Sequence, residues 1–261
     1  MQNKKITLIL AGGGVKAVSY LGFIKVLEEK GLYENVDLIG SHSGGSLVGA
    51  AKLMGRDYDY IKGILKELSV WRMMDFSIFK QGTMMSNKKI DDYLDKIYGD
   101  TKFSDLTKQF VVYATNLTDK RLEAFSKGEI KKPIRASIAL EPAISSEIIN
   151  GKEYIDGGFV TVFPTRHLQS IKKNNLVIGL IPKMNTQLFP KIFTDRTNYF
   201  SFFVEHARKL MVEKEPPDLY FETILTDKSH AFDFSNADYF YEQGYESGKQ
   251  SILKIEELLE K

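Results

Sequence analysis

Asp37-Leu38-Ile39-Gly40-Ser41-His42-Ser43-Gly44-Gly45-Ser46-Leu47 is the stretch whose reading decides this chain. The apolar run ending at Ile39 predicts a strand, and Leu47-Val48-Gly49-Ala50-Ala51 predicts the helix that follows. A turn of small residues joins them, with Ser43 at its apex. A serine on a sharp strand-to-helix turn is held out of the sheet above a helix N-terminus, which is the geometry of a nucleophile elbow. Free backbone N–H groups and the helix dipole there favour developing negative charge. Gly44 and Gly45 leave room for the turn. The usual pattern is Gly-x-Ser-x-Gly, whereas this chain reads Ser41-His42-Ser43-Gly44-Gly45. A Gly/Ser-rich loop that only caps a helix fits those residues equally well.

Working outward, the N-terminus carries a second strand–loop–helix unit. Ile6-Thr7-Leu8-Ile9-Leu10 reads as a buried strand, and Ala11-Gly12-Gly13-Gly14-Val15-Lys16 follows it. Val18, Leu21, Ile24 and Leu27 then mark one face of a helix that Gly31 terminates. Three consecutive glycines let unhindered backbone amides converge on an anion, and Lys16 adds positive charge. Gly12-x-Gly14-x-x-Ala17 also fits the dinucleotide fingerprint formally, with Asp37 20 residues after Ala17. Asp37, however, precedes the Leu38-Ile39 strand core, where the ribose-binding acid should close it. An oxyanion loop, a nucleotide phosphate site and a structural turn all stay open on this loop alone.

Downstream, Glu153-Tyr154-Ile155-Asp156-Gly157-Gly158-Phe159-Val160 places Asp156 after a short strand, fixed by a Gly-Gly turn. Lone Asp-Gly pairs are ordinary turn signals. The combination is more specific. A glycine loop, an elbow serine and a turn-locked aspartate each end a predicted strand, and such ends converge on one crevice in open α/β sheets.

With these residues the chain resembles the patatin-like phospholipase family. Gly12-Gly13-Gly14-Val15-Lys16 looks like the family's oxyanion loop, and Ser43 with Gly45 looks like its nucleophile elbow. Asp156-Gly157-Gly158 looks like its catalytic Asp-Gly-Gly/Ala motif. Ala136-Ser137-Ile138-Ala139-Leu140-Glu141-Pro142-Ala143 is similar to the segment preceding that aspartate, and Pro164 falls where the family tends to have proline. The resemblance spans residues 6 to about 182. It departs at Ala17 and Ser41, which replace glycines, at His42, which replaces threonine, and at Val162, where asparagine is frequent.

The resemblance implies a three-layer α/β/α fold with a mainly parallel central sheet. It also implies a Ser43–Asp156 dyad without histidine, amides of Gly12, Gly13 and Gly14 as oxyanion hole, and no cofactor. Lys16, Gly45, Gly157 and Gly158 support the motifs, and Lys16 either meets a lipid phosphate or pins the loop to a carboxylate. The expected substrate is a phospholipid or another acyl lipid. A thioesterase or neutral-lipid esterase with the same dyad is the nearest alternative, and a non-catalytic acyl-lipid or nucleotide-binding module is another. Burial in an apolar pocket, for which Tyr154, Ile155 and Phe159 are candidates, would raise the basicity of Asp156. His42, adjacent to Ser43, is expected to point away from the nucleophile's face. A triad using His167, His206 or His230 is the competing arrangement.

Composition is consistent with an enzyme of this size. The chain has 261 residues, 43% of them hydrophobic, enough for one large α/β domain over 1–261. A net charge of +2, from 36 basic and 34 acidic residues, argues against a dedicated nucleic-acid binder. The absence of cysteine removes disulfides and thiolate metal sites, and no metal-ligand spacing is evident. No signal peptide or membrane span is legible, so a soluble, cytoplasmic protein is expected.

Further buried strands are expected at Phe110–Thr115, Leu122–Phe125 and Leu176–Ile181. Residues 56–100, rich in bulky apolar side chains, read as a helix pair on the core or as a cap over an acyl pocket. Residues 188–212 mix aromatic and basic side chains, which suits the core or transient contact with a membrane surface. Ala237 to Glu260 reads as an exposed helix.

Overall fold

The computed structural model describes residues 4–67, 85–141, 143–183, 214–225 and 234–260. Strand β1 (Ile6–Leu10) is buried along its whole length. It lies between β2 (Val36–Ser41) and β7 (Leu176–Pro182), parallel to both. Its side chains alternate between two cores. Ile6, Leu8 and Leu10 enter the larger one, and Ile9 the smaller. A strand covered on both faces needs apolar residues at every position, and the continuous run at 6–10 meets that need.

The remaining strands are β3 (Gln109–Asn116), β4 (Arg121–Phe125), β5 (Glu147–Ile149), β6 (Lys152–Asp156) and β8 (Leu219–Thr223). The order is β5-β6-β3-β2-β1-β7-β8, with β4 also paired to β3. The five strands from β3 to β8 in that order are mutually parallel, whereas β4, β5 and β6 pair antiparallel. The sheet is therefore mostly parallel, as expected. The strands expected at 110–115, 122–125 and 176–181 are present; β5 and β8 are additions.

Helices α1 (Ser19–Glu29), α2 (Gly44–Leu53), α3 (Tyr58–Glu67), α4 (Asn87–Tyr98), α5 (Lys131–Ser137), α6 (Thr165–Ile171) and α7 (Ala237–Glu260) complete the described structure. α1, α2, α4 and α7 pack on Leu8, Leu10, Ile39, Val112, Ile178 and Leu180. Leu168 of α6, with Val162 and Phe163, covers Ile9, Leu38, Val111 and Val177 on the opposite face. Helices thus flank the sheet on both sides. In the 56–100 region, α3 and α4 supply Ile61, Ile90, Leu94 and Tyr98 to the larger core; the stretch 68–84, central to the cap expectation, lies outside the described residues, as does all of 188–212.

α7 corrects one expectation, because it is not simply exposed. It buries Gly244 and Gly248 against α1, Phe240 beside Val15, Val18 and Leu225, and Ile252 and Ile255 in the larger core. Gly244 lies so close that a Cβ there would stand 1.8 Å from the Ser19 carbonyl oxygen, and one on Gly22 would stand 2.0 Å from that of Tyr241. Among the described residues no helix is long and apolar enough to cross a membrane.

The pairing around β3 positions the site. Val112 pairs with Phe125 of β4 on one edge and with Ser41, the last residue of β2, on the other. Ala114, which also pairs with β4, pairs with Asp156, the last residue of β6. A strand has only two edges, so β2 and β6 lie on the same edge of β3 and meet end to end beside Tyr113. Their ends, Ser41 and Asp156, therefore approach each other from opposite directions.

Candidate active site

Ser43 is the second residue after β2 and caps α2 with φ 53° and ψ −137°. Positive φ is costly for a residue with a side chain, and it persists only where the surroundings enforce it. Here they do. The Ser43 N–H donates to Ser137 Oγ at 2.9 Å and to the Ser137 carbonyl at 3.1 Å. Ser137 Oγ in turn donates to the Tyr113 carbonyl at 2.7 Å, tying the elbow to β3. On the helix side the Ser43 carbonyl accepts from Ser46 N–H and Ser46 Oγ.

The triple-glycine loop is pressed directly onto this turn. A Cβ on Gly12 would lie 2.9 Å from Ser43 Cβ. One on Gly44 would lie 2.2 Å from the Gly14 carbonyl, one on Gly45 2.2 Å from the Leu10 carbonyl, and one on Gly13 2.4 Å from Pro182 Cγ. Gly14 itself has φ +59°, where glycine avoids the steric penalty. Backbone contact thus explains Gly44 and Gly45, whereas Gly12 and Gly13 make room for the side chains of Ser43, His42 and Pro182. The Cβ of Ala17, a departure from the glycine of the family pattern, is accommodated inside the larger core. Ser41 is less well served, since its Oγ is buried without a hydrogen-bond partner among the described residues.

Asp156 ends β6 and is 5% exposed. Its backbone N–H donates to the Ala139 carbonyl, its own carbonyl accepts from Thr115 Oγ1 at 2.9 Å, and its Oδ1 accepts from Gly158 N–H at 2.8 Å. Ser137, the last residue of α5, and Ala139 just beyond it thus hold both the elbow and the aspartate. Tyr154 is buried near Ala114 and Ala136, and Ile155 is half-buried. Phe159 is 51% exposed and so does not enclose the carboxylate as expected.

His42 stands beside the carboxylate, so it does not turn away from this side of the site. Its Nδ1 is 3.7 Å from Asp156 Oδ1, and its Nε2 is 3.0 Å from the Val162 carbonyl. Its ring lies between Gly12 and Gly158: a Cβ on either would come within 3.2 Å of His42 Cε1. Nothing in the sequence pattern points to this placement, which follows from long-range pairing. His167 is hydrogen-bonded through Nδ1 to the Tyr113 hydroxyl at 2.7 Å, and burial, followed by the charge of Glu215, holds that phenol well above its ordinary range. His206 and His230 lie outside the described residues.

Lys16 is fully buried in the turn after the glycines and is not without a partner. It is therefore not a solvated lysine on the surface. Asp37 lies at the start of β2, the end of the strand away from the glycine loop, where it meets Asn175 and Lys172. That placement removes the acid the dinucleotide reading needs. Among the described residues no group of three or more His, Asp or Glu could hold a metal ion.

A mostly parallel α/β sheet carrying a strained serine at a strand-to-helix turn, packed against a glycine loop, defines the class of patatin-like folds. The family model for patatin-like phospholipases matches residues 8–168, and the chain belongs to that family. Among curated proteins it is 32% identical over 177 residues to a Saccharomyces cerevisiae protein named lysophospholipase NTE1, covering 65% of this chain and 10% of that one. To the Phaeosphaeria nodorum lysophospholipase NTE1 it is 24% identical over 283 residues, covering 97% of this chain and 19% of that one. The chain therefore spans a tenth to a fifth of the length of these relatives. Among solved structures, VipD from Legionella pneumophila aligns with TM-score 0.54 and 17% identity over 95% of this chain and 66% of that one. The type III effector ExoU aligns with TM-score 0.52 and 13% identity over 96% and 53%. These two likenesses concern the fold.

Proposed function

We propose that this chain is a lipid acyl hydrolase of the lysophospholipase or phospholipase A type, working through a serine acyl-enzyme. Ser43 Oγ attacks the ester carbonyl carbon while Asp156 takes its proton. The new Oγ–C bond forms, the bond to the alcohol breaks, and Asp156 returns the proton to the departing lysolipid or glycerol oxygen. Water then attacks the acyl-enzyme, again giving a proton to Asp156, and the fatty acid leaves as Ser43 recovers its hydrogen. The amides of Gly12, Gly13 and Gly14, aided by the N-terminus of α2, hold the negative oxygen of each tetrahedral intermediate.

The observation that carries this reading is Ser43 itself. Its positive φ is enforced from both sides, by Ser137 and by the glycine loop. A plain helix cap has no need of such strain. Family membership and the lysophospholipase names of the relatives support a lipid ester as substrate. Phe159 and Val160, exposed just after the Asp156-Gly157-Gly158 turn, suit contact with acyl chains or a lipid surface. The test is fatty-acid release from lysophosphatidylcholine by wild type, Ser43→Ala and Asp156→Asn. Loss of at least about 10³-fold in both variants is expected, because nucleophile and base act as a unit. Wild-type turnover in Ser43→Ala would overturn the mechanism.

A further inference from the structure

The His42 ring is buried between Gly12 and Gly158, and its two nitrogens have unlike neighbours. The Val162 carbonyl can only accept, so the 3.0 Å contact requires a hydrogen on Nε2. In the neutral ring Nδ1 is then bare. It has no hydrogen-bond partner among the described residues, and it faces Asp156 Oδ1 at 3.7 Å with both side chains under a tenth exposed. A lone pair and a carboxylate facing each other in a buried place repel, whereas a proton on Nδ1 turns the same geometry into an ion pair.

Resting on the Ser43–Asp156 reading above, we infer that His42 is a positioning residue for Asp156, and that its protonation decides whether the carboxylate is free to accept the Ser43 proton. With Nδ1 protonated, the imidazolium holds Oδ1 and weakens the base. With Nδ1 bare, the ring makes no claim on Oδ1, and Gly158 N–H alone keeps the carboxylate in place to receive the Ser43 proton. The remaining titratable groups on the elements packed around this ring are Tyr113 on β3, engaged with His167 of α6 and influenced by Glu215, and the buried Lys16. Gly157 and Gly158 also acquire a reason beyond the turn: a Cβ on Gly157 would lie 3.0 Å from His42 Cβ, and one on Gly158 3.3 Å from His42 Nδ1.

The test compares kcat and KM of wild type and His42→Asn on lysophosphatidylcholine across pH. Asparagine offers an amide donor near the former Nδ1 but does not titrate. Wild-type kcat should rise with pH through an ionisation that is missing in the variant. The variant should turn over about tenfold more slowly at the wild-type plateau, with KM unchanged, a modest share of the 10²–10⁴ that a general base contributes. An identical pH profile with kcat within about twofold would overturn the inference. Should His42→Asn fail to fold, imidazole nitrogen NMR of wild type and Asp156→Asn decides it: the His42 Nδ1 resonance should move when the facing carboxylate is lost, and an unmoved resonance overturns it. A wild type that is active and dependent on Ser43, with His42→Asn unchanged, sinks only this inference. Full activity of Ser43→Ala sinks the reading beneath it.

Discussion

The Ser43 N–H donates to Ser137 Oγ at 2.9 Å, so a residue 94 positions downstream holds the elbow in its left-handed conformation. Ser137→Ala removes this acceptor and the donor to the Tyr113 carbonyl. The Ser137 carbonyl still receives the Ser43 N–H, so the turn should loosen rather than collapse. We expect kcat to fall by about tenfold and stability by about 1 kcal/mol. Steady-state kinetics and urea unfolding check this; an unaltered kcat would mean that Ser137 does not govern the elbow.

Gly12→Ala places a methyl 2.9 Å from Ser43 Cβ and 3.2 Å from the His42 ring. The Ser43 Cβ is fixed by its backbone and the His42 ring is held at the Val162 carbonyl, so the new methyl must displace the elbow or the ring. A loss of about 10²–10³ in kcat is expected, comparable with removing one oxyanion donor. Retained activity would show that the loop yields without disturbing Ser43.

Ser41→Ala should do the reverse of a typical core substitution. It removes a buried hydroxyl with no hydrogen-bond partner among the described residues, while keeping the Cβ. Stability should rise by about 1 kcal/mol, the desolvation cost of an unmatched polar group. Thermal unfolding measures it, and a lower Tm would reveal a partner for that oxygen.

Gly244→Ala tests the junction of α7 with α1, which begins one short 3₁₀ turn after the glycine loop. The added Cβ would stand 1.8 Å from the Ser19 carbonyl, so the helices must separate. A destabilisation of about 2–3 kcal/mol is expected from overpacking. A variant as stable as wild type would show that the two helices do not need this close approach.

Much of this architecture is legible locally. Ile6–Leu10 is apolar at every position and becomes a strand covered on both faces. Ser43, Gly45 and the triple glycine announce turns whose tightness only small residues permit, and they fall where expected. What escapes local reading depends on distant partners. β5 and β8 are short edge strands whose burial alternates, but their residues, Glu-Ile-Ile and Leu-Tyr-Phe-Glu-Thr, do not alternate apolar with polar and so do not mark it. The approach of Asp156 to the elbow rests on the antiparallel Ala114–Asp156 pairing, which no periodicity encodes. His42 turns toward that carboxylate because Gly12 and Gly158 leave a slot for its ring. Phe159, apolar and three residues after the aspartate, suggests an enclosing wall but lies open to solvent. The polar composition of α7 hides the face, containing Gly244 and Gly248, that buries it.

The central claim is that Ser43 is the nucleophile. The most direct measurement is reaction of the wild-type protein with a fluorophosphonate probe, followed by peptide mass mapping. The account predicts one covalent adduct on Ser43, absent from Ser43→Ala. No adduct at Ser43 on a protein that still releases fatty acid from lysophosphatidylcholine would contradict it.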